Sequence, residues 1–144
     1  MDDVRPVPVE RMEPAALETP EAIRAHFDAL VGPVRRTEFT AYGVLCDQQH
    51  RPQANRAVDG CPEHPSVQEC ARLVSTFAEV LAASHPHGRL LLGVSRPGPD
   101  HVVESDRRWY QGLNRTCALH DVRPLGVYVL TPTGTFAVTL DDIL

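Results

Sequence analysis

The stretch Arg89-Leu-Leu-Leu-Gly-Val-Ser-Arg-Pro-Gly-Pro-Asp100 decides the fold that we predict for this chain. Its first seven residues are mostly apolar, which is typical of a buried strand, and the Pro-Gly-Pro turn after it leads towards a helix. Loops at the carboxyl ends of sheet strands often gather side chains and a helix N-terminus around a ligand. This loop offers Val94, Ser95 and Arg96 rather than histidines or a catalytic nucleophile.

Helices and strands alternate on both sides of this stretch. Helices are predicted after the caps Thr19 and Ser105 and from Ser66 onward, because an apolar stripe at helical spacing follows each of these residues. Strands are predicted at 37–46, 53–58, 89–95, 125–130 and 135–139. A strand, a helix and a strand at the spacing seen after Arg89 predict a crossover unit. The fold class is therefore α/β (α+β), with a mixed sheet flanked by about three helices.

The chain has 144 residues, enough for one ordinary domain. We place that domain at 19–144. Residues 1–18 contain three prolines and little periodic apolar content, which predicts a disordered or loosely attached acidic leader. We expect order to begin at Thr19.

Charge and composition argue against several functions. The net charge is −5, but residues 1–21 carry six acids and two arginines, so the remainder is nearly neutral. Without a basic excess, nucleic-acid binding is disfavoured. The fourteen basic residues are all arginine, which removes every mechanism that needs a lysine. No apolar run is long enough to cross a membrane, and the acidic N-terminus does not look like a signal peptide, so we expect a cytoplasmic protein.

Two groups of side chains could ligate a metal. Cys61-Pro-Glu-His64 and Cys117-Ala-Leu-His120 together offer the two sulfurs and two nitrogens that zinc accepts. Short Cys/His spacings also arise by chance, and Cys117 is needed for the apolar stripe of its helix. His85-Pro-His87 is the second group, although a helix-to-strand turn accounts for it equally well. We favour packing and turn roles, and we predict no cofactor.

At the level of motifs, the chain resembles the JAB/MPN metalloprotease-like domain of the RadC type. The resemblance covers about residues 20–140 and rests on Arg36-Thr-Glu38-Phe39 before a strand, His64-Pro65 before the long helix, and Pro97 after the central strand. It implies a cytidine-deaminase-like arrangement of sheet and helices. In that family a glutamate, two histidines, a serine and an aspartate build a zinc site, and the glutamate activates the zinc-bound water.

The resemblance implies that this zinc site has been lost. Glu38 falls where the family glutamate would be, and Ser105 and Asp106, or Asp100, fall near the family serine and aspartate. Val94 and Arg96 occupy the positions of the two histidines. Valine cannot ligate zinc, and arginine is a permanent cation. We therefore expect an inactive domain, with Glu38, Ser105 and Asp106 as remnants of the site.

Arg96 is expected to replace the metal by pairing with Glu38 and Asp106, unless it is simply exposed to solvent. Ser95, Arg96, Glu38 and Asp106 are thus the predicted binding residues. The predicted function is a protein-binding or scaffolding module whose partner the sequence does not identify, with a homodimer through sheet edges as one form. Two alternatives stay open: a metal-dependent hydrolase using the His/Cys groups, and a small-molecule or nucleotide site at loop 95–100 and the Ser105 helix start.

Overall fold

The computed structural model describes residues 4–8 and 15–144. Within these residues, three helices and six strands form one α/β domain. The strands are β1 (Val4–Pro6), β2 (Thr40–Cys46), β3 (Pro52–Val58), β4 (Arg89–Ser95), β5 (Arg123–Thr131) and β6 (Gly134–Val138). The helices are α1 (Pro20–Leu30), α2 (Val67–Ser84) and α3 (Glu104–His120), and short 3-10 turns occupy Pro33–Thr37 and Leu140–Asp142. The predicted fold class is confirmed.

The six strands form a single mixed sheet in the order β1-β3-β2-β4-β5-β6. Among the described strands, β4 and β5 are the only parallel pair, and α3 supplies the crossover between them, as the sequence predicted. All other neighbours are antiparallel. The central position of β4 explains its apolar sequence, because a central strand covered on both faces needs apolar side chains on both.

Two apolar layers cover the sheet. Helices α2 and α3 pack on one face through residues such as Phe77 and Leu113, while α1 packs on the other through Ile23 and Phe27. Two glycines let the helices approach closely. A Cβ at Gly43 would lie 2.6 Å from the ring of Phe77, and one at Gly93 would lie 2.5 Å from the ring of Phe27. Each glycine therefore provides space for an aromatic ring, one on each face.

The helix boundaries follow their capping residues in two of three cases. Thr19 accepts a hydrogen bond from the Ala22 backbone, and Ser66 and Glu69 form a capping box at α2. The prediction that Ser105 caps the third helix is wrong. Helix α3 begins at Glu104, and its cap position is Val103, whose backbone N–H donates to the Asp106 carboxylate at 2.9 Å.

Ordered structure starts before Thr19. Strand β1 pairs with β3, and the side chain of Leu17 is only 4% exposed, because it packs into the α1 layer. Arg5 also binds Asp59 through two hydrogen bonds of 2.6 and 3.0 Å. The prediction that order begins at Thr19 is therefore wrong for residues 4–8 and 15–18. Residues 1–3 and 9–14 of the predicted leader lie outside the described residues.

Candidate functional site: the end of strand β4

A buried ion pair lies directly after β4. The Arg96 side chain donates from Nε to Oδ1 of Asp106 at 3.0 Å and from Nη2 to Oδ2 at 2.8 Å. Arg96 is 6% exposed and Asp106 is fully buried. The pairing that the sequence predicted between these two residues is present, and the alternative of a solvent-exposed Arg96 is wrong.

Every N–H of the Arg96 guanidinium has an acceptor. Besides the two bonds to Asp106, Nη1 donates to the carbonyls of Pro97 and Pro99 at 2.9 and 2.8 Å, and Nη2 donates to the carbonyl of His101 at 2.9 Å. The guanidinium carbon also lies 5.9 Å from the centre of the Phe136 ring. A buried charge is tolerated when it is paired and fully hydrogen-bonded, and Arg96 meets both conditions.

Asp106 has two roles at the start of α3. Its Oδ2 accepts from Arg96 and also from the Val103 backbone N–H, which would otherwise lack an intrahelical partner. A carboxylate in the first helical turn is further stabilised by the helix dipole. One carboxylate thus fixes both the helix start and the loop 97–103 that leads to it.

The carboxyl end of β4 is held to two neighbouring strands. Ser95 Oγ donates to the carbonyl of Glu38 at 2.6 Å, and the Arg96 backbone N–H donates to the carbonyl of Leu130 at 3.1 Å. Ser95 is therefore a structural residue whose hydroxyl satisfies the backbone just before β2. This bonding sets the position from which the Arg96 side chain reaches α3.

Glu38 does not join the Arg96 pair, which corrects the sequence prediction. Its side chain is exposed, and its carboxylate forms no hydrogen bond or ion pair with any described residue. Counting along the extended chain gives the reason. Ala41 belongs to the α2 and α3 face of the sheet and Tyr42 to the α1 face. The backbone at Glu38 is extended, so this alternation, continued back to position 38, directs its side chain away from Arg96.

Asp100 and Ser105 also lie outside the pair. Asp100 accepts hydrogen bonds from the hydroxyls of Thr131 and Thr133, and these bonds hold the pKa of its carboxyl below the usual range. Ser105 is half-buried beside Asp106 and lines the same small void, but it forms no side-chain hydrogen bond with a described residue. Asp100 therefore ties the loop to the β5–β6 turn.

The space around the ion pair is almost filled. Val94, Arg96, Asp106 and their neighbours enclose a void of about 10 Å³. A single water molecule needs at least that much space. The predicted alternative of a nucleotide or small molecule bound between loop 95–100 and the α3 start therefore finds no cavity of suitable size here.

The Cys/His groups do not form a metal site within the described residues. Cys61 lines the void beside Arg96, whereas Cys117 lines a cavity at the opposite end of β4. The His64 side chain is 82% exposed, and His120 lines a groove between α2 and α3. Burial raises the pKa of the Cys117 thiol to about 12, which opposes the thiolate that zinc needs. No three His, Cys, Asp or Glu side chains of residues 4–8 and 15–144 are grouped for a metal ion.

His85 and His87 belong to the turn between α2 and β4. His85 is the C-terminal cap residue of α2. His87 adopts a left-handed backbone conformation, with φ of 59°, and its Nδ1 lies 2.8 Å from the carboxylate of Asp121. This turn lies at the amino end of β4, away from Arg96, as the turn interpretation predicted.

A second buried arginine was missed by the sequence reasoning. Arg36 is 5% exposed and donates to the carbonyls of Val31 and Thr131 and to the Thr135 hydroxyl. It therefore ties the end of α1 to the β5–β6 turn. Its neighbour Arg35 is exposed, so the Arg-Arg pair in the sequence does not reveal which member is buried.

No protein-family model, curated protein or solved structure matches the chain. None of the described helices is long and apolar enough to cross a membrane.

Proposed function

We propose that this chain is a catalytically inactive domain of the JAB/RadC type that acts by binding a protein partner. The observation that carries the proposal is the buried Arg96–Asp106 ion pair at the carboxyl end of the central strand. An enzyme of that type would hold its zinc ion at this place. Here a guanidinium supplies the positive charge instead.

The side-chain chemistry of the pair supports this interpretation. Leu90, Leu92 and Val94 alternate onto the face covered by α2 and α3, and Arg96 continues that alternation towards Asp106. Positions 94 and 96 are the two that the resemblance assigns to histidine ligands. Asp106 is the one remaining acid of the predicted set that points to the same place. An arginine there neutralises a carboxylate that would otherwise be buried without a counter-charge.

The filled space favours a binding role over a chemical one. A hydrolytic centre needs an open position for water and substrate beside its catalytic groups. The void at Arg96 is only about 10 Å³, and the guanidinium has no N–H left for a substrate. The domain would then act through its surface.

The partner class that we propose is a protein, and a second copy of the chain is its simplest form. Strands β1 and β6 are the two edges of the sheet, and neither pairs on its outer side with another strand of the described residues. Pairing of such an edge with its own symmetry copy would extend the sheet into a homodimer. Light scattering coupled to size-exclusion chromatography decides between a monomer and a dimer.

The experiment restores the missing ligands. The double variant Val94→His/Arg96→His places a His-x-His segment opposite Asp106. If the pocket descends from a zinc site, this variant binds zinc in a calorimetric titration, whereas the wild-type chain does not. Circular dichroism spectra recorded beforehand show whether the variant keeps its helices and strands.

The matched control is the triple variant that adds Asp106→Asn, since an amide is a poorer zinc ligand than a carboxylate. Its zinc affinity should fall about tenfold or more. Equal zinc binding by the double and triple variants, or none by a folded double variant, would contradict the proposal.

A further inference from the structure

A cavity of about 570 Å³ lies at the amino ends of β4 and β5. These strands run in parallel, so the cavity lies at the opposite end of the sheet from Arg96, about 20 Å away along β4. Its polar wall includes Gln48, His87, Arg89 and Arg123. This cavity is separate from the site proposed above.

Two arginines stand side by side at its wall. Arg89 and Arg123 are the first residues of β4 and β5, and they are direct partners in the strand register. Neighbouring strands are about 4.8 Å apart, and like charges at paired positions repel each other. Neither arginine forms an ion pair with a described carboxylate. The nearby acid, Asp121, faces His87 at 2.8 Å instead.

The hydrogen bonds of Arg89 are incomplete on one edge. Its Nη1 donates to the carbonyl of His87. Its Nε is buried and has no hydrogen-bond partner among the described residues. A buried guanidinium N–H without an acceptor is unfavourable, and few polar groups in folded proteins are left in this state.

Two other arginines in this chain show what that edge binds. Arg5 uses Nε and Nη2 to hold Asp59 at 2.6 and 3.0 Å, and Arg96 uses the same two nitrogens to hold Asp106 at 3.0 and 2.8 Å. On Arg89, Nη1 donates to the His87 carbonyl, and the buried Nε has no acceptor among the described residues. Unlike Arg5 and Arg96, Arg89 therefore pairs with no carboxylate of the described residues.

We propose that this cavity binds a small organic oxyanion, with the guanidinium groups of Arg89 and Arg123 at its wall supplying two positive charges. A carboxylate and a phosphate both match the N–H groups of a guanidinium. The cavity volume falls in the range of small-molecule sites. Cys117, Ala118, Val122 and Pro124 also line the wall and would contact the apolar body of the ligand. The Asp121 carboxylate lies at the wall as well, where it is paired with His87.

The test follows the arginine Nε–H signals of the full chain by nuclear magnetic resonance during titration with inorganic phosphate and, separately, with acetate. Chloride at equal ionic strength is the reference. The Arg89 signal should move saturably with at least one of the two probes. Whichever probe binds more tightly identifies the group that the natural ligand carries. If neither probe moves the signal beyond the chloride reference, the proposal is wrong.

Three variants test which arginines bind the anion. Arg89→Lys keeps the charge but loses the planar guanidinium and its N–H donors, and calorimetric affinity should fall about tenfold to a hundredfold. Arg123→Gln changes an exposed side chain, is expected to fold, and should weaken binding severalfold. Arg51→Gln removes an exposed arginine in the β2–β3 turn and should leave affinity unchanged. Equal losses in Arg123→Gln and Arg51→Gln would show nonspecific screening and overturn the proposal.

Discussion

Arg96 and Asp106 are ten residues apart in the chain and meet in a buried ion pair with two hydrogen bonds. The pair closes the loop between the central strand and α3, and the loop carbonyls occupy the remaining N–H groups of the arginine. One side chain thus organises the whole segment.

Arg96→Ala should lower the free energy of unfolding by about 3–5 kcal/mol, because it leaves the Asp106 carboxylate buried without its counter-charge. Chemical denaturation measures this change. Arg51→Ala is the matched control, since its side chain is exposed, and its effect should stay within about 0.5 kcal/mol. Equal small effects of both variants would contradict the structural role of the pair.

The pKa of Asp59 should lie below its usual range, because the hydrogen bond from Arg5 favours the charged carboxylate. Its folded-state pKa is lower than its unfolded one, so the pair stabilises the attachment of β1 above about pH 4. That stabilisation is lost as the pH falls through the folded-state pKa. Nuclear magnetic resonance titration measures the shift, and Arg5→Ala should return the pKa of Asp59 towards its usual range. An unchanged pKa in that variant would show that Arg5 does not bind Asp59.

Thiol labelling should distinguish Cys61 from the other cysteines. Burial raises the pKa of the Cys46, Cys70 and Cys117 thiols to about 12, so they offer almost no thiolate at neutral pH. Cys61 is only half-buried. Iodoacetamide followed by mass spectrometry should modify Cys61 first and the others only after unfolding. Rapid labelling of Cys117 in the native protein would show that α3 is less firmly packed than described.

Gly93→Ala should destabilise the domain by about 1–3 kcal/mol, because the new methyl group would collide with the Phe27 ring. Gly32→Ala is the control, since no atom lies within 4 Å of its Cβ position. Thermal unfolding of both variants gives the comparison. A larger loss in Gly32→Ala would mean that α1 does not pack on β4 as described.

The sequence predicted the fold well where periodicity determined it. The apolar run of β4 and the apolar stripe of α2 are regular sequence patterns that arise because these elements are buried. Both elements appear close to the predicted bounds. Short elements were harder. Strand β1 has three residues, and its stability comes from pairing with β3 and from Arg5–Asp59, neither of which leaves a local pattern.

The candidate site was predicted in part. The resemblance placed Arg96 beside Asp106, and the two residues do pair, because a strand end and the start of the following helix lie close together in a crossover unit. Glu38 was misplaced because its side-chain direction depends on where β2 begins, and a shift of one residue in a strand reverses the face. The Arg89–Arg123 pair was missed because strand register is a long-range property that only the folded sheet defines.

The central claim is that Arg96 stands in place of a metal ion. The most direct test measures the zinc content of the wild-type chain after purification without chelators. The melting temperature of the same protein is recorded with and without EDTA. We predict no stoichiometric zinc and a melting temperature that EDTA does not change. Stoichiometric zinc, together with a fall in melting temperature on its removal by EDTA, would contradict the claim.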